Sequence, residues 1–270
     1  MRTSILFLSV VFLLLGLIPA IATADTDVVV VTTSLLETAV YEVLPPEVPI
    51  EVIRLLSPSA CPGHFDLSPR IIPVLRAASL VIRHDYQGVL EKNISRIGIK
   101  AKSIQVVTTD STPLIPCNYY SLVEQVGAMN KTLFPARAHE INASVVEAGK
   151  RTKQLNTQAL NSALLWKGTP IIAAAHIKEF CEWLGFDVIG VLNRPEETTP
   201  RDMENLVKLD ADMIVCNLQE GSQAASSLSN RMDIPVVILS NFPGAVGFGK
   251  TYYNLIEENI VRLEAVCRKQ

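Results

Sequence analysis

The chain has 270 residues, with 24 Lys+Arg against 27 Asp+Glu, a formal charge of −3, 49% apolar and 19% charged residues. That composition supports a sizeable core and excludes an intrinsically disordered chain, while the slightly acidic balance argues against a nucleic-acid partner. The length accommodates one large domain or two lobes, and five cysteines cannot all pair within the chain.

Residues 1–24 read as an export signal. Arg2 gives a positive start, Ile5–Ile18 an apolar stretch, and Ala20-Ile-Ala-Thr-Ala24 small-residue cleavage positions. Cleavage after Ala24 leaves Asp25 first; an uncleaved anchor is the alternative, and both place the remainder outside the cytoplasm. Sequons at Asn93, Asn130 and Asn142 would then be exposed to glycosylation.

From there, short β-branched runs alternate with helical stretches, the pattern of parallel sheets covered on both faces. Strands are predicted at 27–33, 49–56, 79–83 and 103–107, with helices at 35–43, 71–78 and 88–97. The second half repeats this, with strands at 170–175, 187–192, 212–216 and 235–239 and helices at 177–185, 201–208, 222–231 and 251–266. The expected fold is therefore α/β, an N-terminal lobe (25–133) and a C-terminal lobe (166–270), each with a four-stranded parallel sheet. Residues 134–165 read as one long backbone helix, about 48 Å at 1.5 Å per residue, with Gly149 as a point of bending. Ile141, Val145, Ala148, Leu155, Ala159 and Leu160 form its expected packed stripe.

In open α/β sheets ligands bind beyond the carboxyl ends of the strands. Four such loops carry unusual side chains: Cys61-Pro-Gly-His64 after the second strand, Pro116-Cys117 after the fourth, His176 after the fifth, and Ser240-Asn241 after the eighth. Two imidazoles and one or two thiolates suit a borderline-soft cation such as Zn²⁺. Cys61 and Cys117 have a disulfide as their alternative. His84 is a second-tier candidate; His139 reads as solvated, Cys181 and Cys216 as core, and Cys267 as incidental.

The order of these segments resembles the periplasmic metal-binding proteins of zinc and manganese ABC importers, the zinc-uptake substrate-binding family. That family's G-x-D-P-H-x-Y-E-P-T-P loop resembles Ser59-Ala-Cys-Pro-Gly-His64-Phe-Asp-Leu-Ser-Pro69, followed by IIPVLRAASLVI. Its P-H-x-W segment resembles Pro116-Cys117-Asn118-Tyr119, its strand-ending histidine pattern AAAHIKEFCEWLGF at His176, and its E-P-S-x-x-D-L stretch RPEETTPRDMENLV. The C-terminal GFGKTYYNLIEENIVRLEAV is similar to its closing helix. The likeness spans nearly all of the chain after the signal. Departures are a cysteine at Cys117 where the family has histidine, Cys61 where it has aspartate, an extra Gly63, Ser240 or Asn241 at the final aspartate position, and no histidine-rich loop. The resemblance implies a non-enzymatic, monomeric capture protein that holds a metal ion in the cleft and delivers it to an ABC permease. His64, Cys117 and His176 would be ligands, with Cys61, Ser240 or solvent completing the set. Zn²⁺ comes first, with Cu⁺, Mn²⁺ or another transition metal as alternatives.

Two rivals are an exported metalloenzyme, with Asp66 or Glu220 as its nearest general base, and a binder of haem or a chelated metal in the same fold. Gly244-Ala-Val-Gly-Phe-Gly249-Lys250-Thr251 fits G-x-x-x-x-G-K-T between a strand and a helix. With only about 20 residues after it, the strand carrying an NTPase's Mg²⁺-binding aspartate has no place downstream. The glycines read instead as a helix entry.

Overall fold

A computed structural model describes residues 26–62, 68–96 and 104–268. The predicted signal, His64 and Asp66 lie outside the described residues. Among those described, no helix is long and apolar enough to cross a membrane.

The first sheet contains β1 (Asp27–Val31), β2 (Ile50–Arg54), β3 (Leu80–His84) and β4 (Ile104–Val107), in the order β2-β1-β3-β4 and all parallel. The second contains β5 (Pro170–Ala174), β6 (Asp187–Leu192), β7 (Met213–Asn217) and β8 (Val236–Leu239), in the order β6-β5-β7-β8, again parallel. All eight strands fall where the β-branched runs place them. Each sheet reverses direction of growth beside its first strand, and the two reversals mark the crevices where ligands bind in such sheets.

Helices α1 (Ser34–Val43), α2 (Ile72–Ala77) and α3 (Gly88–Arg96) connect the first sheet; α6 (Lys178–Trp183), α7 (Pro200–Leu206) and α8 (Gln223–Met232) connect the second, and α9 (Tyr252–Cys267) closes the chain. Val29 and Val31 point to the large core and Val30 to a smaller cluster with Leu75, Val81, Leu90 and Ile94, as the two-residue period of a strand requires. The large core runs without a break from β1 through the intervening helices to Leu263.

Two features differ from expectation. Residues 116–133 form a full helix, α4 (Pro116–Leu133), where the sequence reading had only a loop after the fourth strand. Pro116 occupies its first turn, where no N–H is needed, and Tyr119, Leu122, Val123 and Val126 bury one face. The backbone helix, α5 (Ala138–Ala163), is correspondingly shorter, about 39 Å at 1.5 Å per residue. It is continuous through Gly149. That residue is small because a Cβ there would lie 2.8 Å from the Tyr120 ring of α4. Reciprocally, a Cβ on Gly127 of α4 would meet Val145 of α5 at 2.6 Å. Thr152 takes an inward place on α5, its hydroxyl donating to the Ala148 carbonyl, while Leu160 faces outward.

The lobes are also tied by polar contacts. The buried Glu42 carboxylate of α1 accepts from Tyr119 of α4 (2.7 Å), from Tyr253 of α9, and from Arg151 of α5 (2.7 Å). Tyr119 stacks on Tyr252 with ring centroids 3.6 Å apart, and the Tyr252 hydroxyl donates to the Leu114 carbonyl.

The Gly244–Thr251 segment is a compact loop, closed by a Gly244 N–H to Gly249 carbonyl bond of 2.7 Å. Thr251 caps α9 by accepting from the Asn254 N–H. A Cβ on Gly249 would lie 2.3 Å from the Asn254 Cβ, so the capping turn itself accounts for that glycine.

Candidate metal centre

The carboxyl ends of both sheets open onto one cavity of about 540 Å³ between the lobes. Cys61, His84 and Tyr86 line it from the first lobe; His176, Glu179, Arg194 and Glu220 line it from the second. Neither Cys117 nor Ser240 is on its wall.

Register brings the central pair together. Ala174 at the end of β5 pairs with Leu192 at the end of β6, and His176 and Arg194 each lie two residues further on. His176 Nε2 is 2.9 Å from the Arg194 Nη2, and its Nδ1 is 2.5 Å from Glu220 Oε1. A guanidinium can only donate, so Nε2 is the acceptor and the ring proton sits on Nδ1, donated to the carboxylate. Glu220 is held by a 3₁₀ turn after β7, in which its N–H donates to the Asn217 side chain at 2.9 Å and Gly221 follows with φ of 81°. Arg194 Nε lies 3.7 Å from the same Glu220 oxygen, buried and without a hydrogen-bond partner.

His84, at the end of β3, is fully buried. Its Nε2 pairs with the Thr33 hydroxyl at 2.9 Å, its backbone N–H donates to the Gln87 side-chain oxygen, and the ring stacks on Tyr86. Burial lowers its pKa to about 3, so the ring is neutral; its Nδ1 has no hydrogen-bond partner.

The other predicted positions are placed as follows. Cys61 lines the first-lobe wall as a free thiol. Cys117 is exposed on the first turn of α4, its thiol directed to Asn118 Oδ1 at 3.6 Å. All five cysteines are free, so the disulfide alternative for Cys61 and Cys117 is not formed. Ser240 is buried. Its hydroxyl accepts from Gln219 Nε2 (2.9 Å) and from the Phe242 N–H, and donates to the Phe242 carbonyl (2.9 Å). It thereby positions Gln219, which also donates to the Pro58 carbonyl across the cleft. Burial raises Cys181 and Cys216, the latter to about 12, as expected of core thiols. His139 is exposed on α5.

Arg194 and Glu179 gain an importance that the sequence reading did not give them, and Glu220, read there only as a rival enzyme's general base, gains a different role. Arg194 follows β6 directly, and the strand-end rule that marks His176 also marks it. Glu220 follows β7 in the same way. Glu179, on α6, accepts from the Ser111 hydroxyl (2.6 Å) and the Thr112 N–H (3.1 Å), closing a clasp between the lobes.

Among the described residues no three of His, Cys, Asp and Glu form a ready cluster. In kind, however, the donors suit a late transition metal: an imidazole whose far nitrogen is fixed by a carboxylate, with a thiol in the same cavity.

Residues 29–266 match the family model for zinc-uptake complex component A, periplasmic (ZnuA). The fold is similar to the periplasmic zinc binding protein TroA from Treponema pallidum, with a TM-score of 0.77 and 16% identity over 90% of this chain and 99% of that one. It is likewise similar to a periplasmic metal binding protein from Candidatus Liberibacter asiaticus (TM-score 0.74, 12% identity, 90% and 100% covered) and to a zinc-bound deletion mutant of ZnuA (0.72, 9%, 90% and 98%). At these identities the likeness carries the fold alone. No curated protein matches the sequence.

Proposed function

The chain belongs to the ZnuA family of periplasmic zinc-uptake components, which are substrate-binding proteins rather than enzymes, and from that premise we propose that it captures a transition metal ion, zinc first, as cargo between its lobes and delivers it to an ABC permease. One observation carries the reading: His176 Nδ1–H is held by Glu220, which aims the Nε2 lone pair along a fixed direction in the cavity. Metal-binding histidines are oriented in this way, by a carboxylate on the nitrogen that does not bind. His64 and the Cys61 thiolate would supply further donors from the first lobe, while Glu220 stays on the nitrogen that does not bind. Cys117 and Ser240 take no part in this set. Nitrogen and sulfur donors favour zinc over manganese, whose preference is for oxygen.

Metal content of the purified protein, followed by competitive titration with a chromophoric chelator, tests the proposal. One tightly held zinc per chain is expected, lost in His176→Ala and weakened in Cys61→Ser. A folded wild-type protein that retains no first-row metal ion would refute it.

A further inference from the structure

Capture of a cation gives no reason for a guanidinium beside His176, which among the described residues is the one imidazole that both faces the cavity and is oriented by a carboxylate. Yet Arg194 Nη2 lies 2.9 Å from His176 Nε2, and its Nε lies 3.7 Å from Glu220. The contact is built by the fold, since the Ala174–Leu192 pairing sets His176 and Arg194 side by side.

An imidazole nitrogen has one lone pair. Zinc bound to it sits about 2.0–2.1 Å away along that lone pair. Arg194 uses the same direction, so the guanidinium and a metal ion are mutually exclusive partners of Nε2. They also repel as like charges in a cleft of reduced dielectric.

We propose that Arg194 is an internal competitor for the metal position: bonded to His176 and facing Glu220, it must swing outward before an ion can bind. The inference rests on the metal-capture reading above. It makes Arg194 an affinity-setting residue, which weakens every ion that binds at Nε2 by the same factor and so leaves only strong binders held at low concentration. An ion enters only if its bonds to imidazole and thiolate outweigh the arginine contacts it displaces. At low concentration late transition metals meet that condition, and ions that bind imidazole weakly, such as Mn²⁺, do not. The side chain is long and one quarter exposed, so it can reach solvent from its present place.

Titration of the full chain with Zn²⁺ and separately with Mn²⁺, against a chromophoric chelator at fixed ionic strength, tests this. Arg194→Gln is expected to bind zinc at least tenfold more tightly than wild type, and to gain by a similar factor for Mn²⁺. Arg194→Lys keeps the charge and stays within about threefold of wild type. If wild type binds zinc and folded Arg194→Gln binds it equally or less well, the competitor role is wrong while capture stands. If neither protein binds either metal, both readings fall.

Discussion

The Glu42 carboxylate is a test of what holds the lobes at a fixed separation. Its side chain is 4% exposed and accepts from the hydroxyls of Tyr119 and Tyr253 and from the Arg151 guanidinium. Glu42→Ala leaves the hydroxyl of fully buried Tyr119 without an acceptor, at a cost of about 1–3 kcal/mol. The half-buried Tyr253 hydroxyl recovers part of its loss from water and adds about 1 kcal/mol or less. Lost burial of the side-chain methylene contributes about 0.8 kcal/mol. The ion pair itself adds little, because Arg151 is 48% exposed and such pairs contribute about 0–1 kcal/mol. The expected loss is about 2–6 kcal/mol, a large share of the roughly 5–15 kcal/mol that stabilises a typical protein. In urea unfolding, with a slope of about 2–3 kcal/mol/M, the midpoint falls by about 1–3 M. Arg151→Ala should lose less than about 1 kcal/mol, and Glu42→Gln should fall between the two because its carbonyl still accepts. If Arg151→Ala matches Glu42→Ala, the energy lies in the ion pair and the argument from buried phenols is refuted.

Other positions make independent predictions. His84 is neutral in the fold down to about pH 3, whereas the unfolded chain takes up a proton near 6.5, so stability present above 6.5 is lost as pH falls from there towards 3. The contribution reaches about 1.4 kcal/mol per pH unit, and His84→Asn should flatten the stability–pH curve over that window in urea titrations; curves that stay parallel would refute it. Hydrogen bonds from Ser111 and Thr112 hold the Glu179 pKa below the usual carboxylate range. Its clasp therefore persists above ordinary carboxylate pH and is lost only as pH falls through the lowered value; Glu179→Gln should raise amide exchange across residues 111–114 at pH 7. Gly190→Ala would put a Cβ 2.5 Å from Leu209 and 2.9 Å from Leu206, so calorimetry should show a loss of about 1–3 kcal/mol.

What the sequence discloses and what it conceals follow from how local each signal is. The eight strands are legible because runs such as Val28–Val31 and Pro170–Ala174 have strand composition whatever lies beside them. Helix α4 was equally local, with Tyr119, Leu122, Val123 and Val126 at helical spacing, but it is masked for a reader who takes Pro116 as the end of a loop rather than the first turn of a helix. The site is less local. Strand ends identify the loops that reach the cleft, and His176 is found that way. They do not say where each side chain points: Ser240 follows β8 as the rule requires, yet its hydroxyl is consumed by Gln219 and Phe242. An arginine two residues beyond a strand reads, taken alone, as a solvated charge. Arg194 becomes part of the site only through the pairing of β6 with β5, a contact between residues 18 apart in sequence. The family resemblance, built on loop order, locates the cleft but predicts a ligand set in which a cysteine replaces a histidine at position 117. The structure instead sets a guanidinium against the principal imidazole. On the competitor proposal, a divergent member of a metal-binding family would alter its affinity by placing a charge beside an unchanged histidine, a change that no count of ligand-type residues reveals.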